Sequence, residues 1–330
     1  SFAATSGWAT EGDSWCYLDA QGNKVTNVWK KSGNDWYYLD SDGLMATDTW
    51  VDDTSYVDIY GVRVTNRWIY TEAGTDNAPN SEGGWYYLDA AGKAVSDGWK
   101  TINNKKYYFD SDGTMQYGWY TDGSDTYYLG DENNGAAATG WLCLDFDKDN
   151  VPSDGDVSEQ ETIGSDTAKW FYFLSNGKAV KADNDTYTSK TIGGKKYYFA
   201  SNGLMQRGMI PLNGKIYLFG ADGAMQYGFY SDSTAGTRYF KTDGSMAANE
   251  LLTVGTNKYY FNTNGVMATG LTNIGGVTYL FGADGAMQYG WYTDASGMRY
   301  FQTNGAMAVN TTLAVGGVTY VFDANGLATA

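Results

Sequence analysis

The sequence predicts an all-β fold, a solenoid of stacked β-hairpins. Three observations predict it. A short motif recurs at intervals near 20 residues. Trp, Tyr and Phe make up 16% of the chain, and 43 of its 330 residues are glycine. Asp or Asn precedes the motif's glycine in 11 of 13 copies.

The motif is two or three aromatics, a Leu or Phe, a polar stretch ending in Asx-Gly and, one residue on, Met, Ala or Val. It reads Trp36-Tyr37-Tyr38-Leu39-Asp40-Ser41-Asp42-Gly43-Leu44-Met45 and returns from Tyr107 to Met115 and from Tyr259 to Met267. Its glycines are Gly22, Gly43, Gly92, Gly113, Gly135, Gly177, Gly203, Gly223, Gly244, Gly265, Gly285, Gly305 and Gly326, with Gly61 marking a degenerate unit. From Gly203 onward the spacings are 20, 21, 21, 20, 20 and 21 residues. A fixed period of this length signals stacked supersecondary units. The aromatics favour strands, and Asx-Gly supplies the positive φ of a tight hairpin turn. Each unit is therefore read as a hairpin followed by a short linker, about 13–14 hairpins in all. A lone two-stranded hairpin is marginal in water, so its aromatic face must be covered by the next one. The segment from Gly220 to Gly228 repeats identically from Gly282 to Gly290. That offset fits either three hairpins per superhelical turn or duplication of a three-unit block.

Three stretches break the rhythm: Gly43 to Gly92, Gly135 to Gly177 and Gly177 to Gly203. The first holds an irregular segment at 70–84 and the second an acidic one at 145–166. The expected organisation is Trp-rich repeats over 1–144, an acidic loop over 145–166 and Tyr/Phe-rich repeats over 167–330.

Composition excludes several function classes. Histidine is absent, which removes Ser-His-Asp and Cys-His catalysis and His-ligated metals. A net charge of −16 argues against binding nucleic acid backbones. No run of 18 apolar residues is present, so no membrane insertion is expected. Residues 1–5 carry no signal-peptide pattern. Cys16 and Cys143 are expected to be buried thiols rather than partners. Carboxylate pairs such as Asp40/Asp42 and Asp110/Asp112 recur with the turns, where Asp serves turn geometry, so no glycosidase dyad is read there. No phosphate-binding strand–loop–helix is seen either. The chain is read as non-enzymatic, with no cofactor except a calcium possibility. Asp145, Asp147, Asp149 and Asp156 stand at ligand positions of a 12-residue calcium loop, but without its glycine at position six or its closing Glu. A solvated acidic loop is the alternative.

Units such as Gly84-Trp85-Tyr86-Tyr87-Leu88-Asp89 with Gly98-Trp99, and Gly193-Gly194-Lys195-Lys196-Tyr197-Tyr198-Phe199 with Asn202-Gly203-Leu204-Met205, resemble the cell-wall-binding repeats of Gram-positive surface proteins. That superfamily includes choline-binding modules, glucan-binding repeats of glucosyltransferases and receptor-binding repeats of clostridial toxins. The resemblance covers nearly the whole chain. It implies a hairpin solenoid, usually a left-handed superhelix, secreted to the cell surface, where it binds wall choline or carbohydrate without catalysis. It leaves the ligand open. A monomer or weak dimer is expected.

Two kinds of aromatic position follow. The Tyr and Leu/Phe nearest the turn glycine are filled almost everywhere and are read as core. The position seven before the glycine varies: Trp15, Trp36, Trp85 and Trp170, elsewhere Lys, Thr, Ile or Met. A second Trp position follows the glycine by six or seven: Trp29, Trp50, Trp99, Trp119, Trp141 and Trp291. In choline-binding modules a quaternary ammonium sits between consecutive hairpins in an aromatic cage, held by cation–π attraction. Carried to this chain, the resemblance implies cages of Trp8, Trp15 and Trp36, then of Trp29, Trp36 and Trp50, with Met45 flanking; Trp85 and Trp99 continue the series. The second half departs from that pattern and is more like glucan-binding or toxin repeats. Its candidates, with one first-half counterpart, are Gln116, Tyr117, Trp119 and Tyr120; Gln226, Tyr227 and Phe229; and Gln288, Tyr289, Trp291 and Tyr292. There, rings would stack on sugars. Two alternatives stay open: these aromatics merely seal hairpin to hairpin, or the chain is a spacer or adhesion rod for a protein partner.

Overall fold

The computed structural model describes residues 6–145 and 168–329. These residues are all-β and form fourteen antiparallel hairpins. They fall into two compact units. Of the described residues, unit 1 takes 6–145, 168–186 and 201–204, and unit 2 takes 187–200 and 205–329.

Unit 1 holds hairpins 1 to 6 at 7–18, 28–39, 49–57, 67–88, 98–109 and 119–128. Its hairpin 7 pairs Gly140–Asp145 with Ala168–Phe173. Unit 2 holds hairpins 8 to 14 at 188–199, 208–219, 228–240, 250–261, 270–281, 290–301 and 311–322, the last joined by a short strand, Ala328–Thr329. The irregular 70–84 segment proves to be the long loop of hairpin 4, because Thr71 pairs with Gly84 across it. The acidic segment lies between the paired strands of hairpin 7; its residues 146–166 are outside the described residues.

One sequence expectation needs correcting. The Asx-Gly turn is not the loop of the paired hairpin. Ser32 pairs with Asp35, so that loop is Gly33-Asn34; in hairpin 5 it is Asn103-Asn104, both with positive φ. The Asx-Gly turn follows the second strand and folds the chain back. The Gly43 N–H donates to the Asp40 carbonyl, and Met45 bridges to Leu39. The Asp40 carboxylate accepts N–H bonds from Asp42 and Leu44 at 2.9 and 3.0 Å. Both turns place a glycine or asparagine at positive φ, Gly43 in one and Gly33 or Asn103-Asn104 in the other, so the sequence alone does not say which one joins the paired strands.

Within each unit the core is a row of buried residues. Four residues before each turn glycine stand Leu39, Leu88, Phe109, Phe199 and Phe261, all fully buried. Successive units are joined by a main-chain bond from the residue two after one glycine to the residue seven before the preceding one. In unit 1 the N–H of Met45 reaches the Trp15 carbonyl and that of Met115 reaches Trp85, both at 2.8 Å. In unit 2 Met225, Met246, Met267 and Met287 do the same to Lys196, Ile216, Thr237 and Lys258. Each such methionine lies under the next turn glycine. Cys16 is buried but Cys143 is exposed, against expectation. Strand alternation turns Leu144 inward and Cys143 outward.

Candidate functional site

Alternation decides which side chains meet at each junction. In hairpin 1, Trp8 pairs with Tyr17 and Thr10 with Trp15, so Trp8 and Trp15 share a face. In hairpin 2, Trp29, Trp36 and Tyr38 share one face and Tyr37 takes the other. Trp15 therefore meets Tyr37 of the next hairpin. Trp36, grouped with Trp8 and Trp15 by its spacing, faces the following junction instead.

The first junction is a cleft of ≈ 360 Å³ lined by Trp8, Trp15, Ser32, Tyr37, Met45 and Tyr60. Trp8 meets Tyr37 edge-on, with centroids 5.5 Å apart at 76°. Trp15 stays 46% exposed and Tyr60 72%, so the mouth is open to solvent. The fourth junction repeats the design in ≈ 240 Å³, lined by Trp68, Trp85, Tyr107, Met115, Asn133 and Asn134. Trp68 stands 6.5 Å from Trp85 at 82° and 4.9 Å from Tyr107 at 60°. The Trp85 indole N–H donates to Asn133 Oδ1 at 3.1 Å. These clefts sit at or below the low end of small-molecule pockets, about 300–1,000 Å³. Rings set at steep angles to one another, with a thioether alongside, suit a compact cation.

Sequence reasoning missed Trp68, Tyr37 and Tyr107. Trp68 follows Gly61 by seven, the spacing of Trp29 after Gly22. The long loop of hairpin 4 separates it from Trp85 and hides the pair. Tyr37 and Tyr107 were read as core because almost every unit has an aromatic there.

Other predicted residues take different places. At the second junction the Arg63 guanidinium carbon lies 5.3 Å from the rings of both Trp29 and Trp36. At the third, Trp50 is 1% exposed, packed on Tyr86 and bonded to Thr71 Oγ1. At the fifth, Lys106 Nζ stands 4.3 Å from the Trp99 ring and 4.9 Å from Tyr127. Trp119 packs on Phe171 and Phe173, and Tyr120 stacks on Tyr108 at 4.2 Å.

Within unit 2, a cleft of ≈ 590 Å³ is lined along one edge by Asp222, Gln226, Tyr227, Phe229 and Tyr230. Tyr227 is 54% exposed. Gln226 spends its amide N–H on the Ala224 carbonyl at 2.9 Å, and Gln288 does the same to Ala286 at 3.0 Å. That holds each Gln beside its exposed Tyr227 or Tyr289. Trp291 packs on Tyr300 and Tyr320. The calcium-like aspartates Asp147, Asp149 and Asp156, and the side chain of Asp145, lie outside the described residues.

Residues 95–141 and 268–311 match the choline-binding repeat. Residues 23–59 match a second choline-binding repeat family, and 80–94, 190–205 and 249–267 a cell wall binding repeat. The chain belongs to the cell-wall-binding repeat superfamily. Its relatives include Glucosyltransferase-S of Streptococcus mutans serotype c, 31% identical over an alignment of 261 residues that covers 76% of this chain and 15% of that protein. Glucosyltransferase-I of Streptococcus downei is 27% identical over an alignment of 251 residues that covers 58% of this chain and 15% of its own length. The chain thus spans about 15% of the length of these curated relatives. Among solved structures, the modular autolysin LytC of Streptococcus pneumoniae, in complex with a synthetic peptidoglycan ligand, is alike in fold: TM-score 0.52, 23% identity, covering 86% of this chain and 52% of the autolysin. The superfamily's hairpin array is the frame on which both aromatic clefts of unit 1 are built.

Proposed function

We propose that this chain is a non-catalytic, multivalent module that anchors a secreted protein to a cell wall by holding small epitopes between consecutive hairpins. In unit 1 the ligand is a quaternary ammonium such as choline. The observation that carries this reading is that two junctions, far apart in sequence, build the same open set: two tryptophans, a tyrosine and a methionine. A net charge of −16 favours a cation in both. Removing one cage ring costs about 0.5–2 kcal/mol, or roughly 2- to 30-fold in affinity. Choline chloride is therefore expected to change the intrinsic tryptophan fluorescence, with Trp15→Ala and Trp85→Ala each weakening one class of site by that factor. A full wild-type response in both variants would count against the cages.

A second reading concerns unit 2. Tyr227 with Asp222 and Gln226 presents a ring beside hydrogen-bonding groups, the arrangement that receives a sugar. Titration with α-glucan oligosaccharides, with Tyr227→Ala as control, tests it. Silence toward both choline and glucans would favour a structural rod engaging a protein partner.

A further inference from the structure

At two junctions a cation of the chain stands over two rings at once; at the first, Lys30 Nζ lies 4.8 Å from the Tyr17 ring alone, and neither residue lines the open cleft. We propose that Arg63 and Lys106 are resident ligands whose charged heads fill the second and fifth seats and close them to an external quaternary ammonium. This rests on the choline reading of the open seats and extends it to which seats can be used.

The two cations reach their seats by different routes. Arg63 stands where Met45 and Met115 stand in the open seats, two residues after a turn glycine. Its stem lies under the next turn, where a Cβ on Gly92 would come within 2.6 Å of Arg63 Cδ. Its head turns back between Trp29 and Trp36, 5.3 Å from each ring. Lys106 stands where Trp15 and Trp85 stand, seven before a turn glycine. Its ammonium lies over Trp99 and Tyr127 and donates to the Asn176 carbonyl at 3.2 Å. Different backbone positions thus deliver the same charge to equivalent places.

Long cationic side chains ordinarily carry their heads out to water, and this chain offers 38 carboxylates to meet them. Neither Arg63 nor Lys106 forms an ion pair among the described residues. Arg63 Nε is buried without a hydrogen-bond partner, so ring faces are its main compensation. The filled seats share one more feature. The indole N–H of Trp29 donates to Asp52 at 3.3 Å and that of Trp99 to Asp122 at 3.0 Å. A carboxylate at the indole edge suits a permanent positive charge.

Lys106→Trp would restore a second tryptophan beside Trp99 and Tyr127. Isothermal titration with choline chloride is expected to find one more site per chain in that variant than in the wild type, with the original sites unchanged. NMR supplies a measurement independent of choline. The Lys106 Cε methylene is expected upfield of free lysine through ring currents, and to return toward the free value in Trp99→Leu. A wild-type methylene at the free-lysine shift overturns the proposal whatever choline does. So does a Lys106→Trp chain that folds, keeps the wild-type sites and adds none. An upfield methylene in a chain that binds no choline supports the resident cation and overturns only the choline reading.

Discussion

Asp110 carries two features that pull its reading apart. Burial, and then a hydrogen bond with the Asp112 carboxylate, push its pKa up to about 6. A raised carboxyl beside a second carboxylate is what an acid–base pair requires. The oxygens of Asp110 are already committed, however. Oδ1 accepts N–H bonds from Asp112 and Thr114 at 3.2 and 2.9 Å, and Oδ2 receives the Gln116 amide at 3.3 Å. The pair belongs to the turn, as the recurrence of Asp at this position suggested. A pH dependence follows. The folded pKa lies above the unfolded value of about 3.9, so the group's stabilising contribution is complete below about pH 4 and is lost as pH rises through 6. Asp110→Asn keeps an Oδ1 acceptor, as Asn262 does for its own turn at 2.9 Å. Thermal melts from pH 4 to 7 should show the wild type losing ground to this variant as pH rises. A constant difference would reject the assignment.

At the scale of one hairpin against the next, the joint is the side chain beneath the turn glycine, a methionine under Gly135, Gly223, Gly244, Gly265, Gly285 and Gly305. A Cβ on Gly223 would lie 2.3 Å from Met205 Sδ, 2.7 Å from its Cε and 2.8 Å from its Cγ. Met205 is 4% exposed, so it has no room to swing aside. Glycine is needed here for space as well as for its φ of +81°. Gly276 has a similar φ, +88°, with nothing within 4 Å. Gly276→Ala should therefore cost only the backbone strain, roughly 1–2 kcal/mol. Gly223→Ala should cost about 1–3 kcal/mol more through overpacking. Urea unfolding of both variants separates the effects; equal losses would mean that Met205 yields freely. The same joint explains how Arg63 enters its seat, because it replaces a methionine in that row.

Along unit 1, one junction plan is filled in different ways: open aromatic clefts, junctions with a cation of the chain over their rings, and a junction closed by a buried indole at Trp50. On the choline reading proposed above, two weak open seats on one chain act together on a polymer bearing many copies of the ligand, and linked sites can exceed either single affinity by about 10²–10⁴. Trp15→Ala with Trp85→Ala should release the protein from a choline-substituted resin far more readily than either change alone. A double variant retained like the wild type would place the contacts elsewhere.

Period, strand-forming aromatics and Asx-Gly turns act over a few residues. They made the hairpin array and the buried Leu/Phe row legible without coordinates, and the resemblance to cell-wall-binding repeats brought Trp8, Trp15, Met45 and Trp85 into view. Only the tertiary structure decided that Tyr37 rather than Trp36 completes the first seat, that Trp68 and Tyr107 complete the fourth, and that Arg63 and Lys106 occupy two others. The reason is geometric. A seat takes one face from each of two hairpins, strand pleating sends neighbouring residues to opposite junctions, and the loop of hairpin 4 parts two rings that strand pairing brings back together.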